Sequence, residues 1–114
     1  MEDGKQNITM NSYQQLARRT QNRELAPDYR IEHATWGLAA EVGEVLGIFQ
    51  KTRQGHGLAV ERVIDELGDV LWFAAELCDC LGLTMGQVAN LNIEKLKRRY
   101  PDGFSEERSV HRDE

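Results

Sequence analysis

Residues 59–81 read AVERVIDELGDVLWFAAELCDCL, and the periodicity of this stretch decides the fold class. Its apolar side chains recur every three or four positions, the spacing that places them on one face of an α-helix. This apolar stripe consists of Val60, Val63, Ile64, Leu67, Val70, Leu71, Ala74, Leu77, Cys78 and Leu81. Gly82 follows at the position where a glycine commonly ends a helix. The pattern therefore predicts one long amphipathic helix over 59–81.

Three more helices are predicted around this one. A second apolar stripe, over 29–51, consists of Ile31, Ala34, Leu38, Val42, Val45, Leu46 and Phe49. Thr84 and Gln87 match a capping box that opens a helix over 85–100, and Pro101 ends it. A shorter amphipathic segment over 11–22 comes first. Because no strand-like alternation occurs, the sequence predicts an all-α, four-helix bundle as a single domain over 1–104, followed by a charged, flexible tail over 105–114.

Composition limits the classes of function open to this chain of 114 residues. The formal net charge of −5 argues against a protein that coats nucleic acid or an anionic membrane surface. No apolar run reaches the length of a membrane span, and the first ten residues lack a signal-peptide profile. Cys78 and Cys80 do not form the pattern of a disulfide framework or a zinc site. We expect a cytoplasmic protein that binds neither nucleic acid nor a membrane.

Two pairs of acidic residues lie beside the predicted apolar stripes. Glu41 and Glu44 are three positions apart on the second helix, and Glu66 and Asp69 are three apart on the third. This spacing stacks two side chains on one helical face, so each pair could close on one cation. Carboxylate oxygens are the ligands that Mg²⁺ and Mn²⁺ prefer. Solvated helix surfaces carry the same spacing, so the pattern alone leaves a metal site and an ordinary surface as alternatives.

Three segments, in this order, resemble the MazG-like nucleoside triphosphate pyrophosphohydrolases. Residues 37–44 read GLAAEVGE and residues 65–72 read DELGDVLW, which match the ExxE and ExxD metal motifs of that family. Residues 92–101 read NIEKLKRRYP and resemble its closing helix. The resemblance implies a homo-oligomeric helical enzyme, either a homodimer or a homotetramer, with sites near its subunit junctions.

The resemblance also implies the reaction. Nucleoside triphosphates, deoxynucleoside triphosphates above all, would be hydrolysed between the α- and β-phosphates to a monophosphate and pyrophosphate. Glu41, Glu44, Glu66 and Asp69 would be the catalytic residues and would hold Mg²⁺, with Mn²⁺ as a substitute. One of the glutamates could instead orient the attacking water. The corresponding cellular role is removal of unwanted nucleotides from the pool.

Seven residues are predicted to contact the substrate: Lys51, Phe73, Asn92, Lys95, Arg99, Gln15 and His33. Lys51 lies two turns beyond Glu44 and could reach a phosphate, although a basic residue also suits the C-terminus of a helix. Lys95 and Arg99 are one turn apart and match basic positions of the resembled family. The assignment of Asn92 depends on the resemblance alone.

Three of these assignments concern the nucleoside end of the substrate. Phe73 follows Asp69 by one turn on the same flank, where the resembled family often carries an aromatic residue. Gln15 is assigned, with Gln14 as a further candidate to read the base, because the first helix borders the pocket in similar proteins. His33, two turns before Glu41, could enclose the base or could serve packing alone.

Trp36 and Trp72 are predicted to face away from the main apolar stripes of their helices. Leaving two indole rings in water is unfavourable, so a second protein surface or a stacked nucleobase is expected to cover them. Because a homo-oligomer would supply such a surface, we expect a subunit interface on this side of the helices.

Other functions are compatible with the sequence. A phosphoribosyl-ATP pyrophosphohydrolase shares the helical fold and the carboxylate chemistry and differs in its substrate. A non-catalytic helical association module would carry the same acids as solvated surface. A di-iron bundle is disfavoured, because Glu44 and Asp69 stand where its Glu-x-x-His pairs would need histidine.

Overall fold

The computed structural model describes residues 7–111, and five α-helices account for most of them. In chain order they are α1 (Met10–Arg18), α2 (Pro27–Arg53), α3 (Val60–Cys80), α4 (Met85–Arg99) and α5 (Glu106–Val110). No β-strand occurs within this range, so the all-α prediction is confirmed. The long helices α2 and α3, joined by a loop over 54–59, share the most extensive helix contact of the fold.

Local sequence signals define where the helices begin. The Thr9 hydroxyl accepts a hydrogen bond from the backbone N–H of Ser12 at the start of α1. Pro27 occupies the first turn of α2, where its missing N–H has no helical partner to lose. At α4, Thr84 and Gln87 form the predicted capping box. Because each signal acts within one turn, the starts of these helices lie within two residues of their predicted positions.

One predicted helix end is wrong, and one short helix was not predicted. Helix α1 ends at Arg18 rather than at position 22, because the chain turns over 19–21 and the Thr20 hydroxyl donates to the Ala17 carbonyl. The tail predicted over 105–114 contains α5, which the Ser105 side chain caps by accepting from the N–H of Arg108. The four-helix prediction therefore omitted one short helix. Positions 1–6 and 112–114 of the predicted domain and tail lie outside the described residues.

The core of the single chain is small and lies where α1, α3 and the start of α4 meet. Ala17, Ala75 and Met85 form its buried centre, and Tyr13, Trp72, Ala74 and Cys78 pack against them. Ala34 and Ile48 are buried on α2. Cys78 and Cys80 are both free thiols, as expected from their spacing.

Most residues of the two predicted apolar stripes lie outside this core. Seven of their residues within α2 and α3 are exposed in the single chain, as is Leu81 just beyond α3: the seven are Val42, Leu46, Phe49, Val60, Ile64, Leu67 and Leu71. Ala75 and Glu76, the buried positions of α3, are not members of the predicted stripe. The physical reason is that α3 is apolar on more than one side. Helix α2 covers part of its circumference and α1 and α4 cover another part, so one apolar face is left uncovered.

A polar network fastens α1 to the end of α3. Asp79 accepts hydrogen bonds from the side chains of Gln14, Arg18 and Gln21, and the Arg18–Asp79 pair is an ion pair of 2.7 Å. Gln14 is buried and also accepts from the backbone N–H of Met85. This network holds the first turn of α4 against α1.

No helix in the part of the chain that the structure describes could span a membrane. The described helices lack the combination of length and apolar character that a membrane span requires.

Candidate active site

Three of the four predicted metal ligands lie together where α2 packs against α3. Glu41 on α2 and Glu66 and Asp69 on α3 each offer a carboxylate oxygen, and these oxygens lie within 4.8 Å of one another. Glu41 and Glu66 are half-buried, and Asp69 is exposed. We call these three residues the carboxylate cluster. Because the cluster is exposed at Asp69 and half-buried at the two glutamates, it could bind a cation together with a second ligand that arrives from solvent.

Helix geometry explains why α3 contributes two members. Glu66 and Asp69 are three positions apart, so they lie on one face of α3 and point toward the same side. Glu41 lies near the middle of α2. After the loop over 54–59, α3 runs back along α2. The short connection brings the helix centres into register, and the carboxylates from the two helices meet.

The surroundings of Glu41 in the cluster disfavour its ionised form. Burial raises the pKa of Glu41 to about 7, and hydrogen bonding to and repulsion by Glu66 and Asp69 act in the same direction. Three carboxylates this close cannot all be ionised without compensation. A hard divalent cation would provide that compensation with the oxygen ligands it prefers, so the residues present fit Mg²⁺ or Mn²⁺.

Glu44 is the predicted ligand that the structure does not bring into the cluster. It lies one turn beyond Glu41 on α2 and is exposed. Its spacing of three positions from Glu41 places both side chains on the same flank of α2. Its ligand role stays a prediction.

Tyr13 borders the cluster and was not predicted as a site residue. Burial raises the pKa of its phenol, and the negative charge of Asp69 raises it further. The tyrosine of α1 therefore lies within electrostatic reach of the cluster, and its hydroxyl is a neutral donor at neutral pH. Nothing in the spacing of Tyr13 within α1 marks it as a neighbour of Asp69, so the sequence alone offers no signal for this role.

An aromatic group lies beside the cluster, one turn away from it on α3 and two turns away on α2. Phe73 and Trp72 on α3 make edge-to-face contact with ring centroids 5.0 Å apart, and the His33 ring lies 5.5 Å from that of Phe73. Phe73 packs on Gly37, which lies one turn before Glu41 on α2. The predicted residues Phe73 and His33 are thus brought together next to the carboxylates.

Trp72 and Trp36, both predicted to face away from the apolar stripes of their helices, differ in how they are covered within the chain. Trp72 is half-buried, packs against the core, and donates a hydrogen bond of 2.7 Å from Nε1 to the Thr20 hydroxyl. Trp36 is 64% exposed. The difference arises because α1 folds over the Trp72 side of α3, whereas no described element covers the Trp36 side of α2.

The remaining predicted substrate residues are more scattered. Lys51 lies on the last turn of α2 and is exposed, and Asn92 is exposed on α4. Lys95 and Arg99 are half-buried on α4, which packs against α1 and α3. Gln15 is exposed, whereas its neighbour Gln14 is buried in the network described above. The substrate roles of these residues stay predictions.

Gly37 gives a direct test of the aromatic group. A Cβ atom at position 37 would overlap the Phe73 ring, whereas a Cβ atom at Gly43 on the same helix meets nothing within 4 Å. We expect Gly37→Ala to lower the free energy of unfolding by about 1–3 kcal/mol, because the displaced ring must repack. Gly43→Ala should raise it by up to about 1 kcal/mol through helix propensity. Urea unfolding measures both, and equal effects of the two substitutions would contradict the packing described.

Comparison with known proteins gives two matches. Residues 31–104 match the family model of the MazG nucleotide pyrophosphohydrolase domain. The Gene 37 protein of Mycobacterium phage L5 is 32% identical over 78 residues, which cover 64% of this chain and 68% of the phage protein. No solved structure matches this chain. The matched range contains the carboxylate cluster, the aromatic group and α4.

Proposed function

Since this chain belongs to the MazG nucleotide pyrophosphohydrolase domain family, we propose that it is an Mg²⁺-dependent nucleoside triphosphate pyrophosphohydrolase. It would cleave between the α- and β-phosphates, prefer deoxynucleoside triphosphates, and release a monophosphate and pyrophosphate. Removal of unwanted nucleotides from the cytoplasmic pool would be its role. The observation that carries the proposal is the carboxylate cluster, because family membership alone would not require these acids to meet.

The chain's own residues fall into three roles. Glu41, Glu66 and Asp69, with Glu44 from the same flank of α2, would hold the cation, with Mn²⁺ as a substitute for Mg²⁺. When bound, the cation supplies positive charge against the phosphate oxygens and makes water a better nucleophile. A glutamate of this set that is not engaged by the cation would accept a proton from the attacking water.

Substrate positioning falls to the residues around the cluster. Lys51, Lys95 and Arg99 would neutralise phosphate oxygens outside the cluster. Their positive charge would assist catalysis at those phosphate oxygens whose negative charge increases in the transition state. Phe73 would provide an aromatic surface for the base. Asn92, Gln15 and His33 would supply hydrogen bonds to the nucleoside.

A substrate panel tests the reaction. Purified protein is incubated with natural and modified nucleoside triphosphates and with phosphoribosyl-ATP, in Mg²⁺ and in EDTA, and monophosphate, pyrophosphate and orthophosphate are quantified. We expect pyrophosphate in Mg²⁺ and none in EDTA. Orthophosphate would show that a different bond is cleaved, and turnover of phosphoribosyl-ATP alone would indicate that other pyrophosphohydrolase class. No turnover by folded protein would favour a non-catalytic association module.

We also propose that the chain functions as a homodimer or homotetramer. The uncovered face of α2 and α3 is defined by the seven exposed stripe residues named above, and Trp36 is exposed on another side of α2. A soluble monomer rarely exposes so many large apolar residues on one face. The radius of gyration is 17.2 Å, against about 13 Å for a compact domain of this length. A second copy of the same face would bury this surface and shelter the nucleotide site beside it.

Leu46→Glu should abolish this assembly. Leu46 is 67% exposed at the centre of the uncovered face, so a buried carboxylate would be forced into the interface. Light scattering should give a multiple of the 13.0 kDa chain mass for the natural protein and a monomer for the variant. Leu91→Glu is the matched control, because Leu91 is 70% exposed on α4, outside the face, and should leave the mass unchanged. A monomeric natural protein would contradict the assembly.

A further inference from the structure

Glu76 is an acidic residue that neither the carboxylate cluster nor the polar network uses. It lies on α3 and is 0% exposed. Its Oε1 atom lies 2.8 Å from Nδ1 of His33, and its Oε2 atom is buried without a hydrogen-bond partner among the described residues. A buried carboxylate with one partner costs more free energy than an apolar side chain of the same volume. Its presence therefore needs an explanation other than packing.

His33 connects Glu76 to the candidate active site. It lies on the face of α2 that carries Gly37 and Glu41 at intervals of four residues, two turns before the cluster. The ring makes an edge contact with Trp72 and lies against Phe73. The His33 side chain is 39% exposed although its Nδ1 atom faces a fully buried carboxylate. Part of the His33 side chain therefore reaches solvent, while its Nδ1 atom is held on the buried side.

We propose that Glu76 is a positioning residue that orients His33, and that the Nε2 atom of His33 reads the hydrogen-bonding edge of the nucleobase. This inference rests on the proposed function and assigns the base-discriminating contact of that site. Nucleobases are the substrate part that fits here, because Phe73 beside His33 offers a flat apolar surface and His33 adds a directional polar atom. The sugar and phosphates would lie toward the carboxylate cluster.

The chemistry of the pair explains how Glu76 would act. An ionised carboxylate only accepts hydrogen bonds, so Nδ1 of His33 must carry the hydrogen and donate it. This sets the tautomer and the ring orientation, as buried carboxylates do for histidines at metal sites. In the neutral ring, Nε2 then carries no hydrogen and is an acceptor for the base. Without the carboxylate, the imidazole could flip or change tautomer, and the contact to the base would lose its direction.

A simple packing role for the pair predicts different behaviour. If Glu76 only linked α2 to α3, its removal would lower stability and leave the kinetics unchanged. If it positions His33, replacement by leucine should change the kinetics as well as the stability, because Nδ1 of His33 then loses the acceptor that orients the ring. The kinetic cost should then fall on substrate recognition rather than on turnover.

The test compares Glu76→Leu with Glu76→Gln, which keeps a neutral acceptor at nearly the same place. For the preferred triphosphate, we expect Glu76→Leu to raise KM about 10-fold, with kcat within about 2-fold, and to reduce the discrimination between bases. Glu76→Gln should retain most of the natural KM. Glu61→Gln, an exposed acid in the first turn of α3, is the control and should change neither constant. Unchanged KM and base ranking in Glu76→Leu would overturn the proposal.

A second measurement does not need catalysis. Nitrogen-15 NMR of the imidazoles should show Nδ1 of His33 protonated in the natural protein and a mixture of tautomers in Glu76→Leu, with the exposed His56 unchanged. Adding the individual deoxynucleoside monophosphates should shift the Nε2 resonance of His33. If the natural protein hydrolyses no triphosphate, the proposed function fails, and this experiment still tests the contact. An Nε2 resonance that no monophosphate moves would overturn it.

His33→Asn keeps the proposal testable if Glu76→Leu does not fold. Asparagine can still donate to Glu76 from its amide, but it has no atom at the position of Nε2. We expect the same increase in KM as for Glu76→Leu, together with natural stability. A natural KM in His33→Asn would overturn the proposal.

Discussion

Asp69→Asn should reduce Mg²⁺-dependent pyrophosphate release by about 10³-fold or more. Asp69, Glu41 and Glu66 contribute the converging oxygens of the carboxylate cluster. An amide offers a weaker, neutral oxygen and cannot offset the charge of a divalent cation. Glu41→Gln should have an effect of the same order for the same reason. Initial rates at saturating Mg²⁺ and triphosphate measure both effects.

The same substitutions should change the response of stability to metal. In EDTA, Asp69→Asn should raise the melting temperature by a few degrees, since it removes one of three mutually repelling groups. Addition of Mg²⁺ should then stabilise the natural protein and leave the variant nearly unaffected. Loss of activity with an unchanged response to Mg²⁺ would contradict a role for Asp69 in holding the cation.

Glu44 and Glu61 complete this series. Glu61→Gln alters an exposed acid of α3 outside the cluster and should leave the rate unchanged. Glu44→Gln tests the one predicted ligand that stands apart. A loss as large as that of Asp69→Asn would show that Glu44 turns toward the cation in the loaded enzyme, and a loss below about 10-fold would limit the ligand set to the cluster.

Asp79→Leu should lower the free energy of unfolding by about 2–4 kcal/mol, the largest stability effect that we expect of a polar residue in this chain. Asp79 accepts from Gln14, Arg18 and Gln21, so its removal leaves several donors of α1 and the following turn without their acceptor. Urea unfolding measures the loss. Asp65→Leu, at an exposed position of α3, is the control and should change stability by less than about 0.5 kcal/mol.

The contribution of Asp79 should depend on pH in a defined direction. Burial alone would raise its pKa, but hydrogen bonds from Arg18, Gln14 and Gln21 outweigh burial, and the pKa is lowered. A carboxyl whose pKa is lower in the folded than in the unfolded state stabilises the fold above its unfolded pKa. The difference between the natural protein and Asp79→Leu should be complete at pH 7 and shrink below about pH 4. A difference that stays constant down to pH 3 would contradict this account.

Local signals in the sequence predicted the helices well. The capping box of Thr84 and Gln87 places the start of α4 at Met85, because its two hydrogen bonds form within one turn. The i,i+3 spacing of Glu66 and Asp69 puts both acids on one face of α3 whatever surrounds that helix. The resemblance of residues 37–44, 65–72 and 92–101 to MazG-like enzymes is confirmed by the family match over 31–104.

Other features depended on how the helices are rotated about their own axes. Spacing defines the angle between two side chains of one helix, but not which neighbour that face meets. This is why Glu41 joins Glu66 and Asp69 while Glu44 remains exposed. It is also why the apolar stripes are left uncovered in the single chain, since an apolar face can be buried equally well against the same chain or against a second copy.

By itself, the sequence determined the all-α class, the helix starts, the family and the acids from which a metal site could be built. Only the tertiary structure decided that Trp72 is covered by α1, that Tyr13 lies within electrostatic reach of Asp69, and that Glu76 is buried against His33. The reason is the range of the interactions. Capping and helical spacing act within a few residues, whereas these contacts join residues 43 to 56 positions apart and exist only once the helices have packed.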